Sequence, residues 1–308
     1  MNTDRIIAVV GATATGKSTL ALDLADALGG EIVNADAMQL YRGMDIGTAK
    51  VAVGERRGIR HHQLDVLDVT QEASVAAYQR HARADLDAIA DRGRVPILVG
   101  GSGLYVRAAL DALDIPPTDP RVRARWETYA EQHGPDAAHR ALADRDPVAG
   151  REILPANTRR VVRALEVIEL TGAPFGARLP ARTHRRPTLT LGLTMAREAL
   201  DERIGIRTEG MWAAGMVEEV RRLDAAGLRL GRTAALAIGY PQALAELDGR
   251  LTRAAAIAET AQATRRFVRR QESWLRPDPR IVWLDALAPD LLDRALSAVR
   301  STGARPGE

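Results

Sequence analysis

Apolar residues recur along this chain in two forms, short unbroken runs and longer stripes spaced three and four apart. The stretch from Arg5 to Val10 predicts a buried strand, then Gly11 to Ser18 forms a loop, and helical spacing follows from about Ser18 to Leu28. Glu31 to Ala35 predicts a second strand and Val95 to Val99 a third, the latter closed by Gly100-Gly101-Ser102-Gly103. Between them, Glu72 to Arg92 places Val75, Tyr78, Ala82, Leu86 and Ile89 on one stripe, which predicts a helix. Strands separated by crossovers of this length pair in parallel, so the fold class is α/β, a parallel sheet flanked by helices.

The pattern changes at Ile115-Pro116-Pro117. From 117 to 187 only helical spacing is found, punctuated by Pro135, Pro147, Pro155 and Pro174. Strand-like stretches return at Thr188 to Met195 and Arg280 to Leu284, and long helices are expected over Arg197 to Met211 and Thr252 to Leu275. The expected organisation is a core formed by 1–116 plus 188–308, interrupted by an all-helical insertion at 117–187.

Composition narrows the chemistry. Of 308 residues 46% are apolar and 27% charged, an ordinary globular balance, and the absence of cysteine excludes disulfides, thiolate metal sites and cysteine nucleophiles. The run Ile6 to Val10 is too short for a signal-peptide core, and nothing approaches the roughly 20 apolar residues of a membrane span. A cytoplasmic protein with no membrane association is expected. Net charge is only +3, but of 43 basic residues only Lys17 and Lys50 are lysines, the rest being arginines. A lysine that persists against such a bias points to a place where a compact ammonium fits and a guanidinium does not.

Lys17 lies in Gly11-Ala12-Thr13-Ala14-Thr15-Gly16-Lys17-Ser18, which fits G-x-x-x-x-G-K-[ST] after a strand and before a helix. This P-loop turns consecutive backbone N–H groups toward a phosphate chain, and the helix N-terminus adds partial positive charge. Lys17 would lie along the phosphates and Ser18 would ligand Mg²⁺. The motif does not say which compound is held, since nucleoside triphosphates and prenyl diphosphates satisfy it equally.

Three further segments bear on that choice. Asn34-Ala-Asp-Ala-Met-Gln-Leu-Tyr41 runs into Arg42-Gly-Met-Asp-Ile-Gly-Thr-Ala-Lys50; Leu98-Val-Gly-Gly-Ser-Gly-Leu-Tyr105 follows; and Ile238-Gly-Tyr240 precedes Arg269-Arg-Gln-Glu-Ser-Trp-Leu-Arg276. With the P-loop, in this order and from Ala8 to about Leu284, they closely resemble the bacterial tRNA dimethylallyltransferases (isopentenyl-tRNA transferases). The resemblance implies a P-loop-type fold, Mg²⁺ dependence, a monomer, and transfer of a dimethylallyl group from dimethylallyl diphosphate to N6 of adenine 37 in tRNA. It also implies a helical insertion that grips the anticodon stem-loop.

Site residues follow from the resemblance position by position. The P-loop amides, Lys17, and Mg²⁺ held through Ser18 stabilise the departing diphosphate, and Arg207 matches an arginine that also reaches it. Asp36, at the end of the second strand where ligands of parallel sheets bind, matches the general base that takes the N6 proton. Ser102 stands where the family usually has threonine and keeps its hydroxyl. Ala37, Met38 and Gln39 would line the mouth of the pocket for a flipped adenine. Arg123 matches a tRNA contact. Arg159 to Arg163 reads Arg-Arg-Val-Val-Arg where the family usually opens with glutamine, so the tRNA roles of Arg160 and Arg163 carry over while Arg159 replaces a polar contact with a charge.

Arg265, Arg266, Arg269, Arg270 and Arg276 form a basic run with few acids, which suits contact with a nucleic-acid backbone. His61 and His62 are adjacent and lack a carboxylate cluster at ligand spacing, so they are expected in a loop and no zinc site is expected. A P-loop small-molecule or nucleoside kinase would also explain the loop, the sheet and Asp36, but not the arginine-rich insertion or the basic helix. An ATP-gated RNA-binding module is a third reading; it would normally carry an acidic residue where Val99 runs into Gly-Gly-Ser.

Overall fold

The computed structural model describes residues 5–176 and 182–301. The first half of the larger unit runs β1 (Ile6–Gly11), α1 (Lys17–Leu28), β2 (Gly30–Asn34), β3 (His61–His62), α2 (Val75–Asp91), β4 (Val95–Gly100) and α3 (Gly103–Leu110). Four helices follow: α4 (Pro120–His133), α5 (Pro135–Arg145), α6 (Pro147–Glu152) and α7 (Thr158–Thr171). The chain then returns as β5 (Thr188–Thr194), α8 (Arg197–Ala213), α9 (Met216–Ala225), α10 (Tyr240–Leu247), α11 (Arg253–Leu275), β6 (Ile281–Asp285) and α12 (Leu291–Ser301).

The six strands are all parallel, in the order β3-β2-β4-β1-β5-β6, with Ile7 beside Ile97 and Ile6 beside Thr188. Strand alternation decides which core each residue joins. Ile6, Ala8 and Val10 pack with Tyr78, Leu86 and Ile89 of α2 and Tyr105 of α3. Ile7 and Val9 face the other way, against Leu20 and Leu24 of α1 and Ala295 of α12. Because both faces are covered, β1 reads as a continuous apolar run. Each fully buried Leu, Ile or Val contributes about 1.5–3 kcal/mol. A third core, under the segment that follows β2, gathers Tyr41, Met44, Trp212, Met216, Val220 and Tyr240.

The chain divides into two compact units, Met1–Asp111 with His184–Glu308, and Ala112–Thr183. The helical unit is therefore bounded a few residues earlier at each end than the 117–187 expected from the sequence. Its helices begin where the prolines allow: Pro120, Pro135 and Pro147 each occupy the first turn, where a missing N–H costs nothing. Asp119 and Asp146 cap α4 and α6 by accepting their first N–H groups. Leu142, Val161 and Leu165 close the core of this unit against Trp126.

His61 and His62 form an edge strand, not the loop expected. His62 lies between two carboxylates, its Nε2 2.7 Å from Glu31 and its Nδ1 3.5 Å from Asp85. A two-residue strand has no periodicity to detect, and its pairing is decided by β2. No group of three or more metal-binding side chains occurs among the described residues. No helix among them is long and apolar enough to cross a membrane.

Candidate active site

In an open parallel sheet, ligands bind beyond the carboxyl ends of the strands where chain direction switches. Here β1 has β4 on one side and β5 on the other, and that switch collects four segments. The phosphate loop follows β1, Asp36 follows β2, Ser102 follows β4, and α8 with Arg207 follows β5.

Two adjoining cavities open there. One, about 510 Å³, is lined by Thr13, Ala14, Gly16, Lys17 and Ser18 of the loop, with Asp36, Gln39, Arg203 and Arg207. The other, about 280 Å³, is more apolar and includes Ala37, Met38, Ser102, Ile204, Met211, Ile238, Phe267 and Arg270. Thr13, Ala14, Asp36, Thr48 and Arg207 belong to both walls. A cationic chamber thus joins an apolar one, with Asp36 at the junction.

The loop is shaped by backbone that few residues adopt. Gly16 has φ +89° and Ala14, a non-glycine, has φ +66°. Such strain clusters at ligand clamps, where it turns amides inward. Lys17 donates from Nζ to the Ala12 carbonyl (2.6 Å), folding back over the loop. Burial pulls its ammonium down to about 8, with Asp36 opposing the shift and Arg207 adding to it. Arg207 is likewise lowered by burial, Asp36 opposing and Arg203 assisting, and it donates to the Thr13 hydroxyl (3.2 Å). Arg203, one turn before Arg207, is a cavity residue that the sequence reading passed over; its signal was the i, i+4 spacing.

Asp36 is held by its neighbours. Asn34, almost fully buried, donates to the Asp36 carbonyl and accepts the Asp36 N–H, each at 2.9 Å. The Asp36 carboxylate accepts the Met38 N–H (2.9 Å), and Ser102 Oγ accepts the N–H of Ala37 (3.4 Å). The Gln39 amide donates to the Thr48 carbonyl (3.1 Å).

The strings singled out in the sequence fit together in pairs. At Gly101 and Gly103 a side chain would collide with the Gln271 amide and the Trp274 indole, so Gly-Gly-Ser-Gly leaves room for Gln-Glu-Ser-Trp of α11. Gly47 lies against the Tyr240 ring in the same way, which joins the segment Gly43 to Lys50 to Ile-Gly-Tyr. That second pair is fastened by Glu219, a residue outside every motif. Its buried carboxylate accepts the N–H groups of Asp45, Ile46 and Gly47 and the Tyr240 hydroxyl, at 2.7–3.2 Å. All four acceptor positions are used. Lys50 completes the segment: its buried ammonium donates to the Tyr41 carbonyl, Asp45 and Asp65, at 2.6–2.8 Å. Three short bonds to three acceptors suit an ammonium, not a planar fork.

The other expected residues are placed as follows. Gly11, Ala12 and Thr15 are buried behind the loop, Thr15 donating to the Ala12 carbonyl. Arg269 on α11 and Arg276 just past its end are exposed, Arg276 lying 3.6 Å from Glu272, while Arg270 lies over the Phe267 ring at 5.6 Å. Arg265 of the same run turns instead toward Asp201. In the helical unit, Arg159 and Arg160 are exposed, whereas Arg123 and Arg163 converge on the fully buried Glu166 at 2.9 and 2.7 Å. Burial pushes the Glu166 carboxyl up, but bonds from Thr118, Arg163 and Arg123 outweigh it and hold it below its ordinary value.

A parallel sheet, a phosphate loop and a cationic chamber opening into an apolar one define a P-loop-type α/β enzyme core. More specifically, the chain belongs to the IPP transferase family, whose model matches residues 39–278. It is 59% identical over 299 residues to the tRNA dimethylallyltransferase of Thermobifida fusca, covering 96% of this chain and 94% of that one. The crystal structure of the full-length tRNA isopentenylpyrophosphate transferase of Bacillus halodurans is similar at a TM-score of 0.70 and 36% identity, over 97% of this chain and 96% of that one. A eukaryotic dimethylallyltransferase acting on tRNA is similar at a TM-score of 0.83 and 27% identity, covering 96% of this chain and 77% of that one.

Proposed function

We propose that this protein transfers a dimethylallyl group from dimethylallyl diphosphate to N6 of adenine 37 in tRNAs reading codons that begin with U, forming N6-isopentenyladenosine and releasing diphosphate. The observation that carries this reading is the junction of the two cavities. A kinase needs only the cationic chamber and a hydroxyl acceptor; an adjoining apolar chamber of about 280 Å³ suits a prenyl chain and an unstacked base.

In this reading the diphosphate lies in the cationic chamber, under the loop amides, Lys17, Arg207 and Arg203. These groups stabilise negative charge as the allylic C–O bond breaks. The chain extends past Thr48 into the apolar chamber, where the adenine enters between Ala37, Met38 and Ser102. As N6 bonds to the allylic carbon, its proton passes to Asp36, whose backbone Asn34 holds on both sides. Ser102 steadies the base from the neighbouring loop.

The donor set also fits Mg²⁺. The Ser18 hydroxyl lines the cationic chamber at the start of α1, and no carboxylate cage accompanies it among the described residues. An ion held by one hydroxyl, diphosphate oxygens and water is the habit of Mg²⁺, and when bound it neutralises charge on the leaving group. Arg269, Arg270 and Arg276 of the basic run, with Arg123, Arg159, Arg160 and Arg163 of the helical unit, contact the anticodon stem-loop, and the enzyme acts as a monomer in the cytoplasm.

The test is transfer of label from dimethylallyl diphosphate to unmodified tRNA. ATP should not substitute for the donor, and phosphoryl transfer from ATP to a small alcohol would overturn the reading. Asp36→Ala should lose transfer while tRNA binding stays intact; turnover at the wild-type rate would remove Asp36 as the base.

A further inference from the structure

Gln271 is a polar residue of the basic helix whose side chain turns inward, among the buried positions that also include Thr260, Val268 and Leu275. It is 4% exposed, although Arg269 and Arg270 just before it are exposed. Its Oε1 accepts the N–H of Thr13 in the phosphate loop at 2.9 Å. Its Nε2 donates to the Gly101 carbonyl at 3.1 Å, immediately before Ser102. One amide therefore spans the loop on the leaving-group side and the turn on the acceptor side. The fit leaves no slack: a β-carbon at Gly101 would lie 2.3 Å from this amide nitrogen and 2.7 Å from the Gly11 carbonyl.

We propose that Gln271 is a positioning residue that sets the separation between the diphosphate cradle and the acceptor side of the site. This rests on the prenyl-transfer reading for what the two sides hold, but its geometry does not. A buried amide suits the task because it needs one donor and one acceptor in fixed directions, and Thr13 and Gly101 supply the complements. Without it, the half-buried Thr13 N–H and the buried Gly101 carbonyl lose their partner, and each is driven to move toward another. Movement at Thr13 also displaces its hydroxyl from Arg207, which donates to it. Diphosphate binding is then lost from two groups at once.

The experiment compares Gln271→Met, of similar length but unable to hydrogen-bond, with Gln271→Glu, which keeps the acceptor for Thr13 and sets an oxygen against the Gly101 carbonyl. Inorganic diphosphate with Mg²⁺ and an anticodon stem-loop RNA are titrated separately into each full-length variant, beside thermal unfolding. Gln271→Met should bind diphosphate about tenfold more weakly while RNA affinity stays within about twofold. Gln271→Glu should bind diphosphate more weakly still, and the extra loss should shrink with added salt, because it is electrostatic. Unchanged diphosphate affinity in the variants, or diphosphate and RNA affinities falling in parallel with the melting temperature, overturns the proposal. If Gln271→Met does not fold, Gln271→Glu carries the same comparison. Wild-type protein that binds diphosphate but transfers no prenyl group would sink the proposed function and leave the role of Gln271 standing.

Discussion

Lys17 offers the sharpest quantitative test of the site. Burial lowers its pKa from 10.5 to about 8, which corresponds to about 3 kcal/mol against the charged form in the ligand-free protein. Unfolded chain holds this proton more tightly than folded chain. The cost to stability is thus fully present below about pH 8 and is relieved as pH rises from 8 toward 10.5. A bound diphosphate reverses the balance by placing negative charge beside the ammonium. With a pKa of about 8, roughly three-quarters of the lysines are neutral at pH 8.5, so binding should take up about 0.8 proton there and about 0.1 at pH 7. Affinity should fall about tenfold from pH 7 to pH 9 for this reason alone. The assay is calorimetric titration of diphosphate at fixed Mg²⁺ in buffers of different ionisation enthalpy. Lys17→Met serves as the reference, since it retains the proton equilibria of the ligand itself. Equal proton uptake by wild type and Lys17→Met at pH 8.5 would refute the argument that burial tunes this lysine.

Further expectations concern the framework and the RNA surface. Glu219→Ala leaves three backbone N–H groups and the Tyr240 hydroxyl without their acceptor and should cost about 3–5 kcal/mol in urea unfolding; a loss below about 1 kcal/mol would show that the segment after β2 holds itself. The pKa of His62 is raised by its bond to Asp85, with burial opposing and Glu31 assisting. Its contribution is therefore full below the ordinary value of 6.5 and lost as pH rises through the raised one, so the stability gap between wild type and His62→Gln should narrow as pH climbs above 6.5. A gap that widens contradicts the assignment. Arg269→Ala should weaken binding to every tRNA substrate alike and reduce the salt slope by about one; an unaltered slope in filter binding would assign that face of α11 to other work.

What was legible from the residues was whatever local chemistry enforces. Ile6 to Val10 reads as a strand because a run buried on both faces has no polar alternation, and Gly11 to Ser18 reads as an anion loop because only that spacing turns amides inward. Pro135 and Pro147 punctuate the helical stretch for an equally local reason, and each proves to start a helix. The resemblance added Asp36, Ser102 and Arg207, and folding brings all three to the carboxyl edge of the sheet. Local pattern failed where the determining partner is far along the chain. The strand at His61–His62 exists because β2 offers it an edge, and α3 follows a glycine string whose composition suggests only a turn.

Tertiary structure alone decided how the motifs interlock. Glu219 stands in an ordinary amphipathic helix, and no spacing in the sequence announces that its carboxylate closes a ring of N–H groups more than 170 residues away. Gln271 sits in a row of arginines that suggests only a basic face, yet it bridges Thr13 and Gly101. The physical reason is common to both. Hydrogen-bond complementarity between buried groups is a property of positions in space, and a chain records each partner separately without recording that they meet.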